Sequence, residues 1–277
     1  MQKTIVFIHG MFQNPKSWNK WISYFEAKGY KCLAPAWPYH EGEPAELRKN
    51  IPQGLGDLRL QTIIDQYETL IKGLPAKPIV IGHSVGGLIV QVLLNKGLIE
   101  QGVAISSVAP NDMLTLNIDF LKNAMSIANP LKGDEPYLMT AEGFHASFAN
   151  TISQEESDRA YADFATHDSR NVFRDCMKKA GHVDLNKPHA PLLFIAGSQD
   201  QIVPPELNAK NADAYTDEKS TTEIKEFSGR GHYICGQPDW EEVADYVSDW
   251  IEDNVTENPE GRPVTNLRSI TNKEEEL

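Results

Sequence analysis

The segment Gly82-His83-Ser84-Val85-Gly86 combines a possible nucleophile with small neighbours that would let the backbone turn sharply around it. A Gly-x-Ser-x-Gly sequence between a strand and a helix is typical of a serine that is lifted out on a strained turn. Here an apolar run, residues 78–81, precedes the segment, and a helical run, residues 88–94, follows it. The placement predicts Ser84 as a nucleophile. The alternative is a serine that only caps a helix.

A serine nucleophile needs a base that takes its proton and an acid that orients the base. Asp200 follows the predicted strand 192–195, and His232 follows the predicted strand 222–227. The carboxyl ends of parallel strands meet at one edge of a sheet, where such sheets bind their ligands. The order of serine, acid and histidine therefore predicts a triad of Ser84, Asp200 and His232. Otherwise the aspartate would be a turn residue and the histidine part of a surface loop.

The loop His9-Gly10-Met11-Phe12 directly follows the first predicted strand. A tetrahedral intermediate needs two preorganised donors for its oxyanion. The amide of Val85 would be one donor and the amide of Met11 the other, with Phe12 as the alternative. Gly10 would permit a close approach of the two backbones. These residues predict an oxyanion hole beside the serine.

In their order along the chain, these segments resemble the landmarks of the α/β-hydrolase superfamily. The matching residues are His9-Gly10, Gly82-His83-Ser84-Val85-Gly86-Gly87, Gly197-Ser198-Gln199-Asp200 and Gly231-His232. The amino-terminal third is also similar to small bacterial esterases and to the plant methyl-esterase and hydroxynitrile-lyase branch. The resemblance implies an α/β-hydrolase fold, with a doubly wound, mostly parallel sheet of about six strands, because nothing precedes residue 4 to supply the first two of the usual eight. It also implies cofactor-free cleavage of a small-molecule carboxylic ester through an acyl-enzyme on Ser84.

The resemblance leaves the reaction and one role open. The same triad serves lactonases, thioesterases, perhydrolase-like or haloperoxidase-like enzymes and carbon–carbon hydrolases, and a small-molecule receptor could keep it for binding alone. Some relatives take the acid from a more central loop, which makes Asp112, just past the predicted strand 103–108, the alternative to Asp200. The serine at the turn excludes dehalogenase and epoxide-hydrolase chemistry. Tyr233, at the position where the lyases carry lysine, disfavours hydroxynitrile lyase.

Short apolar runs alternate with helical periodicity, the pattern of a parallel sheet covered by helices on both faces. The predicted strands are residues 4–8, 31–34, 78–81, 103–108, 192–195 and 222–227. Apolar residues at helical spacing predict core-facing helices between them: Trp18, Trp21, Ile22 and Phe25, then Leu60, Ile63, Ile64, Tyr67 and Ile71, and finally Trp240, Val243, Val247, Trp250 and Ile251. Residues 37–56, rich in proline and glycine, are predicted to form a functional loop or a disordered one.

Residues 111–188 interrupt the alternation and are predicted to form a helical lid over a core made of residues 1–110 and 189–255. An ordinary crossover of several helices is the alternative. One apolar face in this segment would carry Met113, Leu116, Phe120, Leu121 and Met125, and Ser153-Gln154-Glu155-Glu156 resembles a capping box. Residues 256–277 are polar and predicted to be disordered. The candidate substrate-pocket residues are Phe12, Phe144, Phe148, Ile202 and Tyr233.

The composition argues against other classes of partner. A formal charge of −13 and a pI near 5.1 disfavour nucleic acid and anionic membranes. The sequence has no apolar stretch long enough to span a bilayer and no room for a signal peptide at its start, so we expect a cytoplasmic protein. An exported protein whose signal has been removed by processing is the alternative. Cys32, Cys176, Cys235, His145, His167, His182 and His189 lack the spacing of a metal site, so no metal is expected. His9 and His83 are expected to brace turns. The sequence leaves the oligomeric state open.

Overall fold

The computed structural model describes residues 2–111, 113 and 126–254 of the chain. These residues contain six strands in one sheet: β1 (Thr4–Ile8), β2 (Lys31–Leu33), β3 (Ile79–His83), β4 (Gln101–Ile105), β5 (Leu192–Gly197) and β6 (Thr222–Phe227). All neighbouring strands pair in parallel, in the order β2-β1-β3-β4-β5-β6. The chain therefore moves outward from β1 to β2, returns to the other side of β1, and continues to the far edge.

The six predicted strands are confirmed, but some of their ends differ from the prediction. The predicted strand 103–108 ends early, at Ile105, because Ser106 has a φ of 45° and so leaves the extended conformation. Conversely, β3 extends to His83, so that the residue after it is the serine of the Gly-x-Ser-x-Gly segment. The turns after β3 and β4 thus begin at the first residue beyond each strand, Ser84 and Ser106.

Helices connect the strands and cover both faces of the sheet. The α-helices are α1 (Asn19–Ala27), α2 (Pro44–Lys49), α3 (Leu60–Lys72), α4 (Val85–Asn95), α5 (Gln154–Phe164), α6 (Arg170–Cys176), α7 (Pro205–Asp213) and α8 (Trp240–Asp253). Short 3₁₀ helices cover Pro15–Trp18, Leu55–Asp57, Pro130–Lys132 and Lys179–Gly181, and a helical turn, Ala141–Gly143, continues into a π-helix, Phe144–Phe148. Side chains of α1 and α8 pack on one face, and those of α3, α4 and α7 pack on the other. The predicted doubly wound arrangement is confirmed.

The aromatic stripes explain why the outer helices lie where they do. In α1, Trp21 and Phe25 are fully buried, and Trp21 also donates from its indole N–H to the carbonyl of Cys235 at 2.8 Å. Its ring lies 6.1 Å from that of Trp240 at the start of α8. Burial of one large apolar side chain contributes about 1.5–3 kcal/mol. The contact between Trp21 and Trp240 therefore helps to hold α1 and α8 together.

Two segments outside the alternating pattern adopt more structure than a loop. Residues 37–56, predicted to form a loop, contain α2. Its first residue, Pro44, is a loop signal in the sequence, but proline is well tolerated at the first helical position. The predicted capping box is confirmed: Ser153 and Glu156 bond to each other's backbone amides at the start of α5. Asp112 and four residues of the predicted apolar face (Leu116, Phe120, Leu121 and Met125) lie outside the described residues, as do residues 256–277.

Three arginines tie the segment between β4 and β5 to itself and to the core. Arg170 on α6 donates to the carbonyls of Ser126, Ile127 and Glu135 and lies over the Tyr137 ring. Arg59 forms a two-pronged pair with Asp175, with both N···O distances at 2.7 Å. Arg48 on α2 donates to three carbonyls at the end of α5. The described helices of this segment are therefore anchored at several points. No helix in the described ranges combines the length and apolarity that crossing a bilayer requires.

Candidate active site

Ser84 occupies a strained turn between β3 and α4. Its φ of 57° and ψ of −118° lie outside the regions that non-glycine residues favour, and its amide donates to the carbonyl of Ile105 on the neighbouring strand at 2.9 Å. The two glycines of the segment are needed for steric reasons. A Cβ on Gly82 would collide with the backbone of Gly86, and a Cβ on Gly86 would collide with the carbonyl of Ile8. The sequence around the serine is thus dictated by how closely this turn packs against β1.

His232 and Asp200 are hydrogen-bonded to each other beside this turn. The Nδ1 atom of His232 lies 2.8 Å from Oδ2 of Asp200, and both side chains are buried. An ionised carboxylate can only accept, so Nδ1 carries the proton and Nε2 of the neutral ring is left with a free lone pair. This is the tautomer in which the imidazole can act as a base at Nε2.

The second oxygen of Asp200 is held by the backbone. Oδ1 accepts from the amides of Ile202 and Val203, each at 2.8 Å. These two bonds offset the cost of burying the carboxylate and fix its rotation. Oδ2 is therefore directed at the imidazole, as the prediction for Asp200 requires.

Ser84 and His232 line the same cavity, although they are 148 positions apart in the sequence. Its lining residues are Met11, Phe12, Ser84, Val85, Val108, Ile127, Met139, Phe148, Phe173, Ile202, Val203 and His232. Together with the open solvent at its mouth, the empty space is about 430 Å³. Apart from the serine and the histidine, every lining side chain is apolar. The cavity is therefore suited to an uncharged, apolar group held next to the hydroxyl.

The five candidate pocket residues occupy two layers. Phe12, Phe148 and Ile202 line the cavity itself. Phe148 also presents an edge to the His232 ring, with ring centroids 5.0 Å apart. Phe144 stacks on Phe148 with ring centroids 4.6 Å apart, and the Tyr233 ring lies 6.0 Å from that of Phe148, but neither Phe144 nor Tyr233 lines this cavity. Tyr233 lines a smaller cavity behind the histidine.

His83 supports the loop that carries the imidazole of His232. Its Nε2 donates to the carbonyl of His232 at 2.9 Å, and the two rings lie 4.6 Å apart. Burial, and then the proximity of His232, lower the pKa of His83 well below its usual value. His83 is therefore neutral, and it adds no positive charge beside the imidazole that would become charged during catalysis.

The loop after β1 lies against the serine at the place predicted for the oxyanion hole. A Cβ on Gly10 would lie 2.9 Å from that of Ser84. Val85 is the first residue of α4, so its amide has no partner within the helix. Of the two alternative donors in the loop, the Phe12 amide is bonded to the Asp168 carboxylate at 3.0 Å, whereas among the described residues no hydrogen bond starts from the Met11 amide. Met11 and Val85 therefore remain the candidate donors.

His9 braces this loop. Its Nδ1 donates to the carbonyl of Gly10 at 2.9 Å, its Nε2 accepts from the amide of Trp37 at 3.3 Å, and its ring stacks on that of Trp37 at 4.4 Å. Burial and the nearby ring of His40 lower the pKa of His9 to about 3. The neutral ring braces the turn, as expected from the sequence, and also links the first loop to the segment that follows β2.

Several residues around the site carried no sequence signal. Five cavity-lining residues were not singled out from the sequence: Val108, Ile127, Met139, Phe173 and Val203. The buried residues Asp168 and His40, which contact the first loop, were not singled out either. Their roles depend on contacts between distant segments, and neither residue belongs to a recognisable motif. No group of three potential metal ligands comes together in the part of the chain that the structure describes.

Comparison with known proteins supports the fold over nearly the whole chain. A model of the Alpha/beta hydrolase family matches residues 5–246. Comparison with curated protein sequences gives no match. Among solved structures, a monoacylglycerol lipase of Paleococcus ferrophilus is 20% identical, with a TM-score of 0.66 over 90% of this chain and 93% of that one.

Two plant structures are similar to a comparable degree. A methylesterase from Arabidopsis is 14% identical, with a TM-score of 0.64 over 90% of this chain and 99% of its own. Tomato methylketone synthase I, solved with 2-tridecanone, is 16% identical, with a TM-score of 0.65 over 92% of this chain and 99% of its own. At these identities the likeness concerns the fold alone.

Proposed function

Because the chain belongs to the alpha/beta hydrolase family, we propose that it is a serine hydrolase that cleaves carboxylic esters through an acyl-enzyme on Ser84. One observation carries the proposal: an imidazole that is hydrogen-bonded to a buried carboxylate lines the same cavity as the strained serine. A serine that only capped α4 would need neither partner. Two of the structurally similar proteins, a lipase and a methylesterase, are named for ester cleavage, which favours this reaction over the others that the fold supports.

In the proposed acylation step, the Ser84 oxygen attacks the ester carbonyl while Nε2 of His232 takes the hydroxyl proton. The carbonyl π electrons move to the oxygen and form an oxyanion. Asp200 holds the Nδ1 proton and stabilises the imidazolium without taking that proton itself. Collapse of the intermediate breaks the bond to the leaving alcohol, and the imidazolium returns the proton to that alcohol. The acyl group is then esterified to the serine.

Water completes the proposed cycle. Nε2 of His232 takes a proton from water as the water attacks the acyl carbonyl. The second intermediate collapses with loss of the Ser84 oxygen, which recovers its proton from the imidazolium, and the carboxylic acid leaves. In both steps the amides of Met11 and Val85 would donate to the oxyanion, and each such donor contributes about 3 kcal/mol in the transition state.

The lining of the cavity supports an apolar, uncharged group on one side of the ester. Ile127, Met139 and Phe173 come from the segment between β4 and β5, so we propose that this segment acts as the cap of the site. A charged group would lose its hydration there without gaining a partner, since His232 is engaged with its own carboxylate. A short or branched apolar acyl chain fits this environment.

The test is covalent labelling and turnover in parallel. We expect a fluorophosphonate probe to modify Ser84 in the folded wild-type protein and not in Ser84→Ala. We also expect p-nitrophenyl esters, from acetyl to palmitoyl, to be hydrolysed by the wild type alone, with a preference for the shorter chains. Absence of both labelling and turnover in folded protein would contradict the proposal.

A further inference from the structure

Asp168 is a buried carboxylate outside the proposed triad, in the short segment between α5 and α6. Its side chain is fully buried. Oδ2 accepts from the amide of Phe12 at 3.0 Å, and Oδ1 accepts from the amide of Ser169 at 2.7 Å. Phe12 lies in the loop that also carries Gly10 and Met11. A carboxylate of the cap thus binds the backbone of the proposed oxyanion loop across 156 positions of sequence.

His40 faces the same carboxylate. Its Nε2 lies 3.4 Å from Oδ2 of Asp168, and its Nδ1 lies 3.1 Å from the carbonyl of Pro38. A carbonyl only accepts, so Nδ1 carries a proton, and a proton on Nε2 as well gives the favourable charge opposite the carboxylate. Burial lowers the pKa of His40, but the nearby charge of Asp168 opposes this effect, and the pKa is raised overall. Protonated His40 would offset the charge of Asp168.

The loop residue that Asp168 holds is in a strained conformation. Phe12 has a φ of 64°, in the left-handed region, which is rare for a bulky side chain and costs about 1–3 kcal/mol. The cap segment secures this conformation with two further bonds. The Thr166 amide donates to the Phe12 carbonyl at 3.0 Å, and the Thr166 hydroxyl donates to the Gln13 carbonyl at 3.3 Å. Such strain persists only where the surroundings impose it.

We propose that Asp168 is a positioning residue of the oxyanion hole: by holding the Phe12 amide, it fixes the peptide between Met11 and Phe12 and leaves the Met11 amide free to face Ser84. This inference rests on the proposed function of the same site. His40 has a complementary role. Without a positive charge beside it, the Asp168 carboxylate would oppose the negative charge that develops on the oxyanion. Both residues therefore act on the transition state more than on bound substrate.

The variant that tests this role is Asp168→Asn. It keeps the shape of the side chain but has only one acceptor oxygen for the amides of Phe12 and Ser169. We expect kcat for a p-nitrophenyl ester to fall about tenfold to a hundredfold, with KM changed less than about threefold. Affinity for a trifluoromethyl ketone, which forms an oxyanion on the serine, should fall by the same factor. Affinity for the matching methyl ketone, a ground-state analogue, should stay within twofold to threefold.

Asp175→Asn is the matched control. Asp175 is also a nearly buried carboxylate of the same segment, but it pairs with Arg59 and does not contact the loop after β1. We expect it to lower the thermal midpoint and leave kcat unchanged. If Asp168→Asn and Asp175→Asn behave alike, or if folded Asp168→Asn keeps wild-type kcat, the proposal is overturned. End-point labelling with a fluorophosphonate counts the competent sites in each sample, so that kcat refers to folded enzyme.

A second variant keeps the test decisive if Asp168→Asn does not fold. His40→Gln retains a side-chain donor toward Asp168 but removes the positive charge. We expect it to lower kcat and trifluoromethyl ketone affinity together, and to leave methyl ketone affinity unchanged. Unchanged kcat in folded His40→Gln overturns the inference but leaves the proposed hydrolase intact. Loss of labelling and turnover in the wild type would instead refute the proposed function.

Discussion

Gly10 packs directly on Ser84: a Cβ at Gly10 would lie 2.9 Å from the Ser84 Cβ and 3.1 Å from the His83 carbonyl oxygen. A separation below about 3 Å forces one of the two backbones to move. We predict that Gly10→Ala lowers kcat by about tenfold to a hundredfold, because the loop that carries the Met11 amide is displaced from the oxyanion. Steady-state kinetics with a short-chain ester measures this effect.

Gly143→Ala is the control for Gly10→Ala. Gly143 ends a helical turn with a φ of −66°. A Cβ added there would approach the Thr140 and Met139 side chains at 3.3 and 3.5 Å and would not collide with the backbone. We expect wild-type kcat in this variant. Wild-type kcat in Gly10→Ala would show that the close packing at the serine is not needed for the donor geometry.

The hydrogen bond that His232 donates to Asp200 predicts which of the two candidate aspartates is the acid of the triad. We expect Asp200→Asn to reduce kcat by about 10³- to 10⁴-fold, because an amide at this position stabilises the wrong tautomer and cannot stabilise the imidazolium. Asp112→Asn should keep activity within about threefold of wild type. A large loss in Asp112→Asn with a small one in Asp200→Asn would reverse the assignment. Parallel kcat measurements on the two variants, with circular dichroism to confirm folding, decide the point.

The buried, neutral His9 predicts a loss of stability on acidification. Its pKa is lowered from 6.5 to about 3 in the folded protein. Between these two values the unfolded chain binds a proton that the folded chain does not, so stability rises with pH over this window and falls as the pH drops below 6.5. The full effect of one such group is about 1.4 kcal/mol per pH unit.

His9→Gln removes that titration. We expect it to cost stability at pH 7, where the bond from the Trp37 amide is weakened, and to cost less at pH 5, where the wild type has lost part of its advantage. Urea unfolding of both proteins at the two pH values measures the difference. Groups that titrate in both proteins cancel in this comparison. An equal cost at both pH values would contradict the depressed pKa.

A smaller side chain in the lining of the cavity is predicted to change the preference for acyl-chain length. Phe173 lines the cavity from α6. We expect Phe173→Leu to raise the ratio of kcat/KM for a longer acyl chain over acetyl by about tenfold, because one to two methylenes gain room. Phe194→Leu is the control, since Phe194 is a fully buried core residue on β5 that does not line the cavity. It should lower stability and leave the chain-length profile unchanged.

The local patterns were sufficient to predict the strands and the candidate triad. The central strands β1, β3, β4 and β5 are short, mostly apolar runs, and Ser84, Asp200 and His232 follow β3, β5 and β6 within a few residues. A strand followed by small or turn-forming residues marks a carboxyl end, so the common edge could be inferred from local signals. The helices with aromatic stripes were predicted for the same reason.

The contacts around that edge could not be predicted, because they join distant segments. Nothing near Asp168 in the sequence indicates that its carboxylate meets the amide of Phe12, or that His40 faces it. The cavity walls at Ile127 and Met139 likewise depend on how the segment between β4 and β5 folds back over the sheet. Periodicity identifies buried residues but does not identify the residues that they will touch.

The order of the strands along the chain determines when the proposed active site can be completed during synthesis or refolding. The proposed acid and base lie in the loops after β5 and β6, on the side of the sheet far from β2. A nascent or truncated chain that ends before residue 232 has Ser84 but lacks His232, its proposed base. If the proposed triad performs the reaction, such a chain would be inert toward esters, and turnover during refolding would report the docking of the last strand rather than the collapse of the first four.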